Sequence, residues 1–237
     1  KYRRANAPIT GIITGIGTVN GTHFPDHDAR CMVLAYDYTV LAGTQGTFNH
    51  KKTDRALELA QQWKLPVVLF AEGGGGRPGD TDMSKIQASS LDVMSFATYA
   101  KSSGVAPRIA INNGRCFAGN AVFFGCADVT IATKDSNIGM GGPAMIEGGG
   151  LGDYKPEDIG PADIQAANGV LDLVVDNEAE AVREAKKLLG FFQGRHASGA
   201  CADQRRLRNI VPADRKRAYS MHEALKLIAD SDSLMEL

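Results

Sequence analysis

Val67-Val68-Leu69-Phe70-Ala71-Glu72-Gly73-Gly74-Gly75-Gly76-Arg77-Pro78-Gly79 is the stretch on which the fold turns. Four apolar residues with no polar alternation read as a short strand from a sheet buried on both faces. The strand runs straight into a glycine turn. Glycine weakens regular structure and is tolerated where the chain bends sharply or a ligand comes close to backbone. A strand, a glycine turn and then a helical stretch is the half-unit of a parallel α/β sheet, and such turns lie at the carboxyl end of the strands, where ligands bind.

Upstream, Ile12 to Val19 is rich in β-branched residues and reads as a strand, and Met32 to Tyr36 reads as another. Asn49 is placed to cap a helix carrying Ala56, Leu59, Ala60 and Trp63 on one face, which Leu65-Pro66 ends. Downstream, Met83 to Lys101 reads as a long helix and Arg108 to Ile111 as a strand. Gly114 to Phe117 reads as a turn, Ala118 to Phe124 as a short buried helix, and Asp128 to Ala132 and Leu171 to Val175 as strands. Asp176 is placed to cap a helix over Glu178 to Leu189, with Glu180, Glu184 and Lys187 on its solvated face. Past Gly194, Arg195 to Gly199 reads as loop, and one further helix is expected near Met221 to Asp230. The expected class is therefore α/β with a largely parallel sheet.

The chain has 237 residues, 43% hydrophobic and 22% charged, which is ordinary for a soluble domain with an ample core. A net charge of -1 gives no electrostatic footprint for nucleic acid, and no apolar run reaches the roughly 20 residues of a membrane-spanning helix. Cys31, Cys116, Cys126 and Cys201 form no CxxC pair and fit no zinc spacing. They read as thiols of a reducing compartment: the cytoplasm, or the mitochondrial matrix in a eukaryote. His50, His196 and His222 are scattered and read as structural or exposed. Lys1 to Pro8 carries charge with no apolar stretch behind it, as a chain starting inside a longer protein would.

Glycine is the unusual count, at 27, and clusters at Gly73 to Gly79, Gly139 to Gly142 and Gly148 to Gly152. The first cluster lacks the Lys-Ser/Thr ending of a phosphate loop and the spacing of a dinucleotide fingerprint. That weighs against a phosphate site; the competing readings are an oxyanion hole, in which amides aim at a carbonyl oxygen that gains charge, and a plain surface loop. A second strand-to-helix turn, Asn113-Gly114-Arg115-Cys116-Phe117-Ala118-Gly119-Asn120-Ala121, favours the former. Ala118-Gly119 lets backbone approach a ligand at a helix N-terminus, where free N–H groups favour negative charge. Two such turns in neighbouring units are placed to flank one carbonyl.

Taken together, Glu72 to Arg77 and Gly114 to Ala121 resemble the paired motifs of the carboxyltransferases of biotin-dependent acyl-CoA carboxylases. The resemblance extends through Asp37-Tyr38-Thr39-Val40, Ala42 to Gly46, Lys51-Lys52, Arg55-Ala56 with Glu58, and Ala127-Asp128. It continues through Gly142 to Gly148 and Val211-Pro212 with Arg215-Lys216-Arg217 and Tyr219, in order over most of the chain. It implies a crotonase-like fold and the first, acyl-CoA-binding half of a two-domain enzyme. Residues 1–194 would be that domain. Residues 195–237 would be a linker and helix leading to a second half beyond Leu237, without which the chain would be inactive.

The implied reaction moves a carboxyl group from carboxybiotin to the α-carbon of an acyl-CoA. Carboxybiotin releases CO2, and the biotin so formed takes the α-proton, so no side-chain base is required. Gly75, Gly76, Ala118 and Gly119 would hold the enolate through their amides. Lys51, Lys52, Arg55 and Arg77 are candidates for the CoA phosphates, and Phe117, Gly141 and Gly142 for the acyl pocket. A solvated helix face explains the three α-helical cations equally well, and core packing explains Phe117 better. The implied partners are acyl-CoA, the second carboxyltransferase half, the biotin carboxyl carrier that bears the biotin, the biotin carboxylase, and further copies of the chain. No metal is implied in this domain.

Gly73 and Gly76 stand where many relatives carry Ser and Ala, and Arg115, Phe117 and Asn120 replace commoner smaller residues. The sequence therefore also leaves room for another crotonase-fold enzyme, a hydratase or decarboxylase, or for a non-catalytic CoA-binding scaffold. A hydratase wants carboxylates over the thioester; Glu147 is the one candidate, and Glu72 reads equally as an orienter of the turn or as half of a surface ion pair.

Overall fold

The computed structural model describes residues 10–77, 93–195 and 199–237. Six strands form one sheet: β1 (Ile12–Thr18), β2 (Arg30–Tyr36), β3 (Val67–Phe70), β4 (Arg108–Asn112), β6 (Val129–Thr133) and β8 (Leu173–Val175), in that order across it. Only the β1 edge is antiparallel, and the remaining pairs are parallel. β5 (Arg115–Phe117) and β7 (Asn137–Gly139) make a separate parallel pair. The helices are α1 (Asp26–Ala29), α2 (Thr47–Trp63), α3 (Ser95–Lys101), α4 (Gly119–Gly125), α5 (Pro143–Gly148), α6 (Ala162–Ala167), α7 (Glu178–Gly190) and α8 (Met221–Ile228).

Alternation along the strands explains why helices cover both faces. Met32, Leu34, Val67, Leu69, Ala110 and Ala132 point to one side and pack with Leu57 and Ala60 of α2 and Phe123 and Phe124 of α4. Cys31, Val68, Ile109, Ile111, Ile131 and Val175 point to the other and pack with Ala181, Ala185, Leu188 and Leu189 of α7. At the foot of β4 the buried Arg108 is held by Asp128, with Nη2 2.6 Å from Oδ1, and donates to the Tyr99 carbonyl at 2.9 Å. A buried guanidinium needs such pairing, and here it ties β4 to the chain entering β6.

Several expectations are corrected. Gly114 to Phe117 is not simply a turn, because Arg115 to Phe117 pair with Asn137 to Gly139 as a short strand. Asn49 is no cap: α2 starts earlier, at Thr47, and the buried Asn49 amide donates to the Thr10 carbonyl at 3.0 Å. Trp63 leaves the apolar face it was assigned to and is 52% exposed, since the helix ends there and Lys64 turns left-handed. Asn177, not Asp176, caps α7, its Oδ1 accepting the Glu180 N–H at 3.0 Å. His50 takes the structural of its two readings: it is buried, and its Nδ1 lies 3.0 Å from Ser95 Oγ. Of the long helix expected over Met83 to Lys101, Ser95 to Lys101 is seen, while residues 83–92 lie outside the described residues, as do Pro78, Gly79, His196 and the first nine residues.

The final residues return to the sheet. Ser231 N–H donates to the Ala200 carbonyl at 2.7 Å, Lys187 Nζ to the Leu234 carbonyl at 3.2 Å, and Met235 packs on the α7 side of the core. Among the described residues no helix is long and apolar enough to cross a membrane.

Burial also sorts the thiols. All four cysteines are free. Desolvation pushes the Cys31 thiol up to about 12 and raises Cys116 well above its ordinary value, and both are buried. A thiol reagent acts on the thiolate. Native protein is therefore expected to react at the exposed Cys201 and to spare Cys31 and Cys116 until it is denatured, as mass spectrometry after timed labelling would show. Labelling of Cys116 in the folded protein would contradict the packing described above.

Candidate active site

Three stretches of backbone meet beyond the carboxyl ends of β2, β3 and β4: the loop Leu41 to Gly46, the turn Glu72 to Arg77, and the entry from β5 into α4. Main-chain hydrogen bonds lace them together. Gly73 N–H donates to the Arg115 carbonyl at 2.8 Å, and Phe117 N–H returns to the Gly73 carbonyl at 2.8 Å. Gly74 N–H reaches the Ala42 carbonyl at 3.1 Å, Gln45 N–H the Gly75 carbonyl at 2.7 Å, and Arg77 N–H the Gln45 carbonyl at 2.8 Å.

The two glycine turns touch. A Cβ on Gly75 would lie 2.5 Å from the Ala118 Cβ and 3.0 Å from the Gly119 nitrogen. Gly75 has φ +85°, a conformation that side chains disfavour. Ala118 has φ 50° and ψ -121°, a sparsely populated region for a residue with a Cβ. Such strain persists only where the surroundings over-determine the backbone. Here the Ala118 N–H donates to the Gly139 carbonyl at 3.0 Å.

The four amides read from the sequence therefore divide. Those of Gly75 and Ala118 are committed within the protein, Gly75 donating to Asn120 Oδ1 at 2.9 Å. Those of Gly76 and Gly119 have no acceptor among the described residues. The trans peptide sets the direction of the first: the Gly75 carbonyl faces Gln45, so the Gly76 N–H points the opposite way. The Gly119 N–H opens α4, whose first amides have no intrahelical acceptor.

The other residues singled out from the sequence are more dispersed. Lys52 Nζ donates to the Ile12 carbonyl at 2.6 Å, and burial lowers its pKa; Arg55 pairs with Glu58 at 3.8 Å. Lys51 is exposed, with its Nζ 5.4 Å from the centre of the Phe48 ring. Arg77 Nη2 donates to the Thr44 carbonyl at 3.1 Å and so ties the turn to the preceding loop. Phe117 is buried, and Cβ atoms on Gly139 and Gly142 would lie 3.5 Å and 3.6 Å from its ring. Gly141 lies beside them, whereas Glu147 is exposed.

Sequence reading placed Asn120 and Gln45 within the motifs but gave neither a role: Asn120 is fully buried, and Gln45, 2% exposed, donates from Nε2 to the Tyr36 hydroxyl at 3.1 Å. The available signal was a polar residue inside the apolar window Ala118 to Phe124. Also missed was the buried link in which Ser95 Oγ donates to Asp54 and lies next to His50. Its serine proton is turned toward the carboxylate rather than the imidazole, the wrong order for nucleophilic catalysis.

Glu72 lines a cavity of about 570 Å³ with Tyr36, Tyr38, Phe70, Arg115 and Glu178. It borders the turns but takes in none of the four amide residues. Burial raises the Glu72 carboxyl above its ordinary range, and the backbone N–H groups of Glu72 and Asn113 pull it partly back. A raised folded-state value means that the neutral acid favours folding below the ordinary carboxyl range, and that this contribution is lost as pH rises through the raised value. Glu72→Gln keeps an oxygen for the Asn113 N–H. It is expected to raise Tm at pH 7 and to lose that advantage near pH 4; a variant less stable at pH 7 would show the ionised form to be favoured.

A protein-family model described as the carboxyl transferase domain matches residues 1–237. The chain belongs to the carboxyl transferase family. It is 30% identical to the methylmalonyl-CoA carboxyltransferase 12S subunit of Propionibacterium freudenreichii subsp. shermanii, over 99% of this chain and 44% of that protein. It is 29% identical to the biotin-dependent long chain acyl-coenzyme A carboxylase beta4 subunit of Mycobacterium tuberculosis, over 96% and 44%. Among solved structures, a single-chain, multi-domain long-chain acyl-CoA carboxylase superposes with a TM-score of 0.87 at 53% identity, over 96% of this chain and 22% of that one. The transcarboxylase 12S structure with methylmalonyl-CoA and methylmalonic acid bound gives 0.72 at 27% identity, over 94% and 42%. This carboxyl transferase chain shares their crotonase-like α/β fold and spans less than half the length of each of these relatives.

Proposed function

We propose that this chain is the acyl-CoA side of a biotin-dependent carboxyl transferase, which moves a carboxyl group from carboxybiotin to the α-carbon of an acyl-CoA. One observation carries the reading: the unclaimed amides of Gly76 and Gly119 stand on two turns in van der Waals contact. Loss of the α-proton puts charge on the thioester oxygen. Two rigid N–H donors aimed at that oxygen stabilise the enolate without reorganising, and one such donor lowers a barrier by about 3–4 kcal/mol.

Biotin, borne by a carrier outside these residues, supplies the carboxyl group when it is bound. The chain's own part is to hold the thioester and polarise it. Strained Ala118 and the tied-down Gly75 keep the donors in place, Phe117 with Gly141 and Gly142 forms the wall for the acyl group, and Lys51 and Arg77 stand nearest to the role of phosphate contacts. Residues 1–194 are the acyl-CoA-binding unit, and residues 195–237 the passage to a second carboxyl transferase half. The 53% identity to a single-chain long-chain acyl-CoA carboxylase supports a long acyl substrate, with carrier and carboxylase parts on one polypeptide. Assembly into a homo-oligomer completes the reading, in the manner of the transcarboxylase hexamer.

The full-length polypeptide carrying these residues is expected to carboxylate acyl-CoA in a biotin-dependent assay, with higher kcat/KM for long-chain than for acetyl- or propionyl-CoA. Isothermal titration should detect acyl-CoA binding. Binding without turnover would leave the CoA-binding scaffold in its place, and absence of both would overturn the proposal.

A further inference from the structure

Asn120 lies in the first turn of α4, one residue after Gly119, and is fully buried. Its side chain reaches all three converging stretches. Oδ1 accepts the Gly75 N–H at 2.9 Å, and Nδ2 faces the Glu72 carbonyl at 3.4 Å and the Gly43 carbonyl at 3.5 Å. The orientation of the amide is dictated by its partners, since a donor faces the oxygen and two acceptors face the nitrogen. The fit is tight as well: a Cβ on Gly73 would collide with the Asn120 side chain and with the Gly43 carbonyl.

We propose that Asn120 is a positioning residue that sets the separation and direction of the Gly76 and Gly119 N–H groups. This rests on the enolate-stabilising role proposed above. The side chain is anchored next to Gly119 at one end and to the Gly75 N–H at the other. Capturing that N–H fixes the peptide plane leading into Gly75. The Gln45 N–H fixes the plane leaving it, through the Gly75 carbonyl at 2.7 Å. With both planes fixed, the Gly76 N–H has one direction. Without Asn120, the Gly75 N–H has no partner in the interior, and the turn can rotate to find one. The two donors then lose their common aim, although the surfaces that grip the rest of the acyl-CoA are untouched.

The test uses the full-length polypeptide. Asn120→Ala should lower kcat for acyl-CoA carboxylation by on the order of 100-fold, the cost of a misplacement near 1 Å. The Kd for acyl-CoA should stay within about threefold, because most of its contacts are remote from the turn. Asn120→Asp keeps an oxygen for the Gly75 N–H, and burial favours its protonated form, whose O–H replaces the amide donor. It should recover at least tenfold of the lost kcat. A purely structural role predicts instead that Tm, Kd and kcat fall together and that the two variants are equally slow. That result, or N120A with kcat within twofold of the wild type, overturns the proposal. Should N120A fail to fold, the comparison of N120D with the wild type decides it: a kcat lowered by no more than tenfold at unchanged Kd supports the proposal, and a larger loss overturns it. Wild-type protein that neither binds nor carboxylates acyl-CoA would sink the functional reading first, and this proposal with it.

Discussion

Gly75→Ala is expected to cost about 3 kcal/mol of stability and, in the full-length polypeptide, to remove nearly all of the proposed carboxyl transfer. Two independent penalties add. The φ of +85° is disfavoured for any residue with a Cβ, by about 1–2 kcal/mol. The new methyl would also lie 2.5 Å from the Ala118 Cβ, and overpacking of that kind costs about 1–3 kcal/mol. Ala118 cannot retreat easily, because its own N–H is committed to Gly139 and its backbone already sits in a strained region. The turns must therefore separate, which moves the Gly76 and Gly119 amides apart. For a domain of this size the loss corresponds to a fall in Tm of about 6–12 °C. Thermal melts and a carboxylation assay on the same preparation check both parts; a variant that melts and turns over like the wild type would show that the turns are not in contact.

The same geometry explains how much of the fold could be read beforehand. Val67 to Phe70, Arg108 to Ile111 and Asp128 to Ala132 are legible as strands because parallel strands buried on both faces carry unbroken apolar runs. Arg115 to Phe117 is not, because a three-residue strand between Gly114 and Ala118 has no pattern of its own. It exists only through its partner, Asn137 to Gly139, twenty-two residues away in the chain. Caps were misread for a related reason. Asn49 and Asn177 are both good capping types, but tertiary packing pulled the first into the core, while Asn177 outcompeted the adjacent Asp176.

The meeting of the two turns was legible in the sequence, and the partners of individual atoms were not. Glycine runs after strands marked the two turns, and the structure brings Gly75 against Ala118 and Gly119. Which of the four N–H groups remains available depends on partners distant in sequence: Asn120 for Gly75, and Gly139 for Ala118. No local spacing rule encodes that choice. The cations of α2 illustrate the opposite error. Lys51, Lys52 and Arg55 look like one cluster in the sequence, yet Lys52 is drawn to the backbone of β1 and Arg55 to Glu58. Proximity along a helix gave three side chains three different environments.

Gly76 offers the sharpest separation of the amide from the space around it. A Cβ there would meet nothing within 4 Å, and its φ lies outside the left-handed region, so Gly76→Ala should fold like the wild type. Alanine keeps the N–H. Gly76→Pro carries that Cβ in a ring that also fixes φ at about −65°, and it removes the hydrogen that is proposed to meet the thioester oxygen. No internal hydrogen bond is lost, because the Gly76 N–H has no acceptor among the described residues. The bridge to Gln45 is carried by the Gly75 carbonyl and the Arg77 N–H instead. The proline variant should therefore lose on the order of 100–1,000-fold in kcat, the measured worth of one oxyanion donor, while the alanine variant stays within about fivefold. Steady-state carboxylation of acyl-CoA by the full-length polypeptide, with Tm recorded for each variant, separates the cases. Equal rates for the two variants would mean that the enolate oxygen takes its hydrogen bonds elsewhere, and that the carboxyl ends of β3 and β4 serve only to shape the entrance.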